Sequence, residues 1–130
     1  MGGLIAYWLA TQSEFASEVV GLLINSGTTD LTLRQSVAAD ADLVEIDSAY
    51  GSTDTASFLA NSVGHDPLLL PASLWDEMKV LQVWSTGDTT VVPAQHGQAW
   101  LEEFGNACAY AAASIRSGGY HGTATRRLPT

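Results

Sequence analysis

Leu4, Ile5, Trp8, Leu9 and Phe15 recur at three- and four-residue spacing, which predicts a helix over 3–16. Gly2, Gly3, Ala6 and Ala10 stand beside that stripe and are small enough to let the helix backbone approach a sheet. The helix is apolar around much of its surface and expects cover on both sides. Val19-Val20-Gly21-Leu22-Leu23-Ile24-Asn25 is an unbroken apolar run closed by Ser26-Gly27. A run without alternation suits a strand buried on both faces, so 19–25 is read as a strand. Met78-Lys79-Val80-Leu81-Gln82-Val83-Trp84 predicts a second strand, which ends in the loop Ser85-Thr86-Gly87-Asp88-Thr89-Thr90. Pro93 then opens a helix over 94–104, with Trp100, Leu101 and Phe104 as its stripe and Gly105 as its stop. A third strand over 109–116 leads into Ser117-Gly118-Gly119-Tyr120-His121-Gly122. Residues 28–77 are less regular and rich in Asp, Ser, Thr and Ala; they predict helices around 31–47 and 52–62 and a loop through Pro67 and Pro71.

Helix, strand, insert, strand, helix, strand is the order of parallel βαβ units. The expected fold is therefore α/β: a short parallel sheet with helices on both faces, in one domain spanning 1–130. Three parallel strands also leave a sheet edge with open backbone groups. The chain reads as part of a larger core, open to self-association or to a second polypeptide.

Composition narrows the function. At 46% hydrophobic residues the chain is too apolar for disorder. Five Lys+Arg against fourteen Asp+Glu give a net charge of −9, which disfavours nucleic acid and anionic lipid surfaces. No stretch reaches the ~20 apolar residues of a membrane span. Met1-Gly2-Gly3-Leu4-Ile5-Ala6 lacks the basic start of a signal peptide, and Ala6 stands where N-myristoylation requires Ser or Thr. These bounds predict a soluble, cytoplasmic chain. A single cysteine, Cys108, builds neither an internal disulfide nor a thiolate cluster and reads as a small buried hydrophobe. Asp40, Asp42, Glu45 and Asp47 crowd one segment, but an EF-hand requires Gly where Glu45 stands, so they read as a solvated helix face. No metal and no cofactor is expected.

Functional groups of open parallel sheets gather in loops at the carboxyl ends of strands. Asp88 follows the second strand and His121 the third, with one helix between them. Singly, Asp in a Gly-Asp loop is turn chemistry and a lone histidine is ordinary. Together at neighbouring strand ends, a carboxylate can orient an imidazole that takes a proton from a nucleophile. The other candidates have structural readings. His96 reads as an exposed helix residue, and His65 as a loop residue with a secondary chance of touching substrate. Trp8, Trp75, Trp84 and Trp100 read as core.

The segment Val80 to His96, with its Gly87-Asp88 turn followed by Val92-Pro93 and a helix, resembles the acid-bearing strand and loop of the α/β-hydrolase family. Ser117 to Gly122 is similar to the family's histidine loop. Met1-Gly2-Gly3-Leu4-Ile5-Ala6 is similar to the stretch just after the nucleophile in a Gly-x-Ser-Met-Gly-Gly elbow, and 19–27 to the next strand. The resemblance implies a serine hydrolase of esterase or lipase type acting on a small ester-like substrate. Asp88 and His121 would be the acid and base of a Ser-Asp-His triad, the Met1 backbone N–H an oxyanion donor, and 28–77 the variable cap. The nucleophile would stand one residue before Met1. No Gly-x-Ser-x-Gly occurs in the sequence, and Ser48, in Asp47-Ser48-Ala49-Tyr50-Gly51, lacks both the leading glycine and the preceding strand. The chain alone is therefore expected to be inactive. The alternative is a degenerate relative that serves as a binding or interaction module.

Overall fold

The computed structural model describes residues 2–119 and 121. Met1, named above as an oxyanion donor, lies outside the described residues, as do Tyr120 and 122–130. Five α-helices and three strands are described: α1 (Gly2–Thr11), β1 (Gly21–Asn25), α2 (Leu31–Val37), α3 (Asp40–Tyr50), α4 (Thr55–Asn61), β2 (Lys79–Ser85), α5 (Gly97–Phe104) and β3 (Tyr110–Arg116). The sheet has the order β1-β2-β3, and both pairings are parallel. This is the expected short parallel sheet with flanking helices.

Local chemistry explains where boundaries differ from expectation. α1 stops at Thr11 because hydroxyls turn back onto the last carbonyls, Thr11 to Tyr7 at 2.7 Å and Ser13 to Leu9 at 2.6 Å. Phe15 therefore falls beyond the helix and is exposed. The helix expected over 31–47 is two helices, because Ala38 and Ala39 adopt extended backbone between α2 and α3. An Arg34–Asp42 ion pair spans that break. α4 starts at its own capping box, in which the Asp54 carboxylate accepts from the Ser57 N–H and the Ser57 hydroxyl accepts from the Asp54 N–H. Pro93 opens a short 3₁₀ turn, and α5 begins only at Gly97.

Residues paired across a ladder share a face. Leu22 pairs with Val80, and Ile24 with Gln82, on the face that packs against α1 and α5. There Tyr7, Trp75, Trp100 and Phe104 form an aromatic core, with Trp75 edge-on to Trp100 at 5.0 Å and edge-on to Tyr7 at 5.9 Å. Gln82, a polar residue in the central strand, is satisfied by the Tyr7 hydroxyl. Burial pushes the Tyr7 phenol far above its ordinary range. A second cluster, Leu4, Leu31, Ile46 and Phe58, fastens the insert to α1.

Two expectations change. The opposite face of the sheet carries Leu23, Leu81 and Ala112 in one row, with Leu23 exposed and the other two half-buried. Helical cover is thus met on one face among the described residues. Trp8 is 43% exposed and not core, because α1 turns Leu4, Tyr7 and Ala10 inward and leaves Ile5, Trp8 and Leu9 on its outer side.

Candidate active site

Asp88 and His121 meet at the carboxyl end of the sheet. Asp88 Oδ2 lies 3.0 Å from His121 Nδ1, while its Oδ1 accepts the backbone N–H groups of Val91 at 2.8 Å and Thr90 at 2.9 Å. One oxygen thus shapes the loop and the other faces the imidazole. Burial works against the Asp88 charge, but the Val91 N–H, the His121 ring and the Thr90 N–H outweigh it and hold the carboxyl below its usual range. The carboxylate side chain has no solvent exposure, whereas that of His121 is 43% exposed. A carboxylate on Nδ1 leaves Nε2 as the nitrogen turned to chemistry.

The two loops are held to each other as well. The Thr86 N–H donates to the Arg116 carbonyl at 2.9 Å, and the Gly118 N–H to the Thr86 hydroxyl at 2.9 Å. Gly87 has no room for a side chain, since a Cβ there would stand 2.4 Å from the Gly119 carbonyl oxygen. The Gly87-Asp88 turn therefore brings the acid loop against the histidine loop.

His121 lines a cleft of about 360 Å³ together with Gly2, Gly3, Ser26, Gly27 and Leu31. The start of α1 comes close to the turn after β1, where a Cβ on Gly3 would meet the Gly27 Cα at 3.0 Å. The positive end of the α1 dipole and the candidate base thus face one space, an arrangement that can stabilise a developing oxyanion. Insert residues Arg34, Asp42 and Glu45 form its outer wall.

Other candidates lie elsewhere. Ser48 is exposed on α3 and does not line the cleft. His65 is exposed, packs at a tilt against Tyr50 with ring centroids 5.6 Å apart, and lines a separate cavity of about 510 Å³ on the outer side of α1. Cys108 is half-buried against the aromatic core, and burial raises its thiol pKa. Asp40 and Glu45 are exposed as expected, while Asp42 pairs with Arg34, and Asp47 accepts from Gln35 and Ser52.

His96 is the clear correction. It is 1% exposed instead of lying on the helix surface, because the loop after β1 folds over it. Its position just before α5, not on it, removes the helical reading. Ser26 was not singled out by sequence. It ends β1 with φ 50°, a left-handed conformation uncommon for a non-glycine residue, and donates its N–H to the Val83 carbonyl at 2.8 Å. The Asn25-Ser26-Gly27 turn closing an apolar strand is the signal that pointed there.

No protein-family model and no curated protein matches the sequence. Solved structures do. The chain is similar to the Pyrococcus horikoshii acylaminoacyl peptidase in its orthorhombic crystal form, with TM-score 0.67 and 15% identity over 93% of this chain. It is similar also to the uncomplexed form of that peptidase, with TM-score 0.62 and 19% identity over 93% of this chain. In both comparisons the chain spans 18% of the peptidase's length. The architecture is part of an α/β-hydrolase fold. Likeness at these identities speaks for fold, and the chemistry has to be argued from the site.

Proposed function

We propose that this chain is the acid- and histidine-bearing part of a serine hydrolase that cleaves an ester or a related acyl bond. The observation that carries the reading is the 3.0 Å approach of Asp88 Oδ2 to His121 Nδ1 in a cleft shared with the start of α1. Asp88 holds the imidazole in the tautomer that leaves Nε2 free and stabilises the imidazolium once a proton arrives. His121 takes the proton of the attacking hydroxyl and returns it to the leaving group. Backbone N–H groups at the start of α1 receive the oxyanion, and the insert over 28–77 shapes the acyl site as a cap. The peptidase name of the similar structures supports an acyl-transfer chemistry and leaves amide substrates beside esters as candidates.

The serine of such a triad has no Gly-x-Ser-x-Gly setting within these 130 residues. In this reading it is supplied from outside them, on a strand that would pair with β1, in the same or a second polypeptide. A fluorophosphonate probe tests the point. Residues 1–130 alone should stay unlabelled, and the same residues preceded by hydrolase strands ending in Gly-x-Ser should label at that serine. Labelling of the bare chain at Ser26, Ser48 or another serine would overturn this division of the site.

A further inference from the structure

His96 is buried and belongs to no part of the proposed triad, yet its ring has a defined task. Nδ1 faces two backbone N–H groups of the loop after β1, those of Asp30 at 3.2 Å and Thr29 at 3.3 Å. An imidazole nitrogen accepts hydrogen bonds only when it carries no proton, so this geometry requires the tautomer with the proton on Nε2. The backbone of His96 is fastened on its own side. Its N–H donates to the Pro93 carbonyl at 3.2 Å, and its carbonyl accepts from the Trp100 N–H at 2.8 Å. The ring therefore ties the segment that follows Asp88 to the segment that contributes Ser26, Gly27 and Thr28 to the cleft.

We propose that His96 is a positioning residue: its unprotonated Nδ1 latches the 29–30 backbone, and with it the 26–28 wall of the cleft, to the acid loop, and protonation of the ring releases that wall. The importance of the wall for catalysis rests on the hydrolase reading; the latch itself does not. Protonation would turn the shared acceptor into a donor aimed at two donors, on a ring that is 1% exposed. The charged groups around the ring are Asp30 in the latched loop, Arg34 on α2 and Asp88 in the acid loop. Burial depresses the His96 pKa; Asp30 and Asp88 pull it up, Arg34 pushes it down, and the net shift is downward. A depressed native pKa means that the stabilisation is complete above the unfolded value, about 6.5, and is lost as pH falls below it toward the native pKa.

The test uses ¹⁵N-labelled chain, with imidazole nitrogen shifts and amide exchange read together. His96→Asn sets an amide oxygen near the place of Nδ1 without a titrating group, and His96→Ala removes the acceptor. At about pH 7.5 the wild type should show the Nε2–H tautomer. Its Thr29 and Asp30 amides should be at least about tenfold better protected than in His96→Ala. His96→Asn should keep most of that protection. As pH falls below the unfolded value, about 6.5, the wild type should lose it progressively relative to Val80 in β2, while His96→Asn should not. Three results would overturn the latch: an Nδ1–H tautomer, an Asn variant as unprotected as the Ala variant, or equal acid loss in wild type and His96→Asn. If His96→Ala does not fold, the tautomer and the pH comparison with His96→Asn decide. None of these readouts needs turnover, so failure of the latch and failure of the hydrolase reading are distinguishable.

Discussion

Two carboxylate oxygens divide the work at Asp88. One is spent on the Thr90 and Val91 N–H groups and the other on His121, so the side chain both builds its loop and aims the imidazole. This double use makes Gly87 sensitive, because the acid loop reaches the histidine loop only where no Cβ intervenes. Gly87→Ala should push the 118–119 backbone away and lengthen or break the Asp88–His121 contact while the sheet persists. The His121 ring ¹⁵N and Nδ1–H shifts at fixed pH would read the change; shifts identical to wild type would show that the close approach is dispensable. The meeting of Asp88 and His121 was legible in the sequence because each follows a strand, and loops after neighbouring parallel strands lie at the same end of the sheet. His96 was not. Its sequence neighbours announce a helix, and only the return of the 28–30 loop, 66 residues earlier in the chain for Asp30, buries the ring.

The elements followed the apolar pattern where the pattern was continuous. Unbroken runs gave β1 and β2 within two residues of their observed bounds, since a long apolar run in a parallel sheet leaves few other readings. The insert was legible as helical but not as three helices. Its breaks depend on the extended backbone at Ala38–Ala39 and on the caps at Asp30 and Asp54, none of which alters hydrophobic spacing. Trp75 shows a further limit. It stands in a short 3₁₀ turn, Ala72–Trp75, yet is fully buried between Tyr7, Trp100 and Phe104. Through Trp75 the insert is welded to α1 and α5. Removing Trp100 from this cluster deletes its ring contacts with Tyr7, Trp75 and Phe104 and leaves a large void. Trp100→Ala should therefore cost about 3–5 kcal/mol. Urea denaturation checks it, and a loss under about 1 kcal/mol would mean that the aromatic core does not carry the fold.

At the scale of the whole molecule, β1 and β3 are the sheet edges, and β2 alone is paired on both sides among the described residues. The face carrying Leu23 and Tyr110 is also exposed, at 66% and 58% for these two side chains. An open edge beside the exposed Leu23 and Tyr110 side chains favours association even against a net charge of −9. The 130-residue chain should accordingly show concentration-dependent association in sedimentation velocity, weakened by Leu23→Lys. A strictly monomeric chain with unchanged behaviour in the variant would show that this face needs no cover. The proposed serine-bearing strand would pair along that same β1 edge, so covering it and completing the triad are one event in this account.

The central claim is that Asp88 and His121 act as acid and base for a serine set at the start of α1. It is tested most directly by turnover of a short-chain p-nitrophenyl ester by residues 1–130 preceded by strands ending in Gly-x-Ser, in the parent chain and in Asp88→Asn and His121→Ala. The account predicts measurable turnover in the parent, a fall of about 10⁴-fold in Asp88→Asn through the wrong imidazole tautomer, and loss at least as large in His121→Ala. A completed, folded chain whose turnover is unmoved by His121→Ala would contradict it.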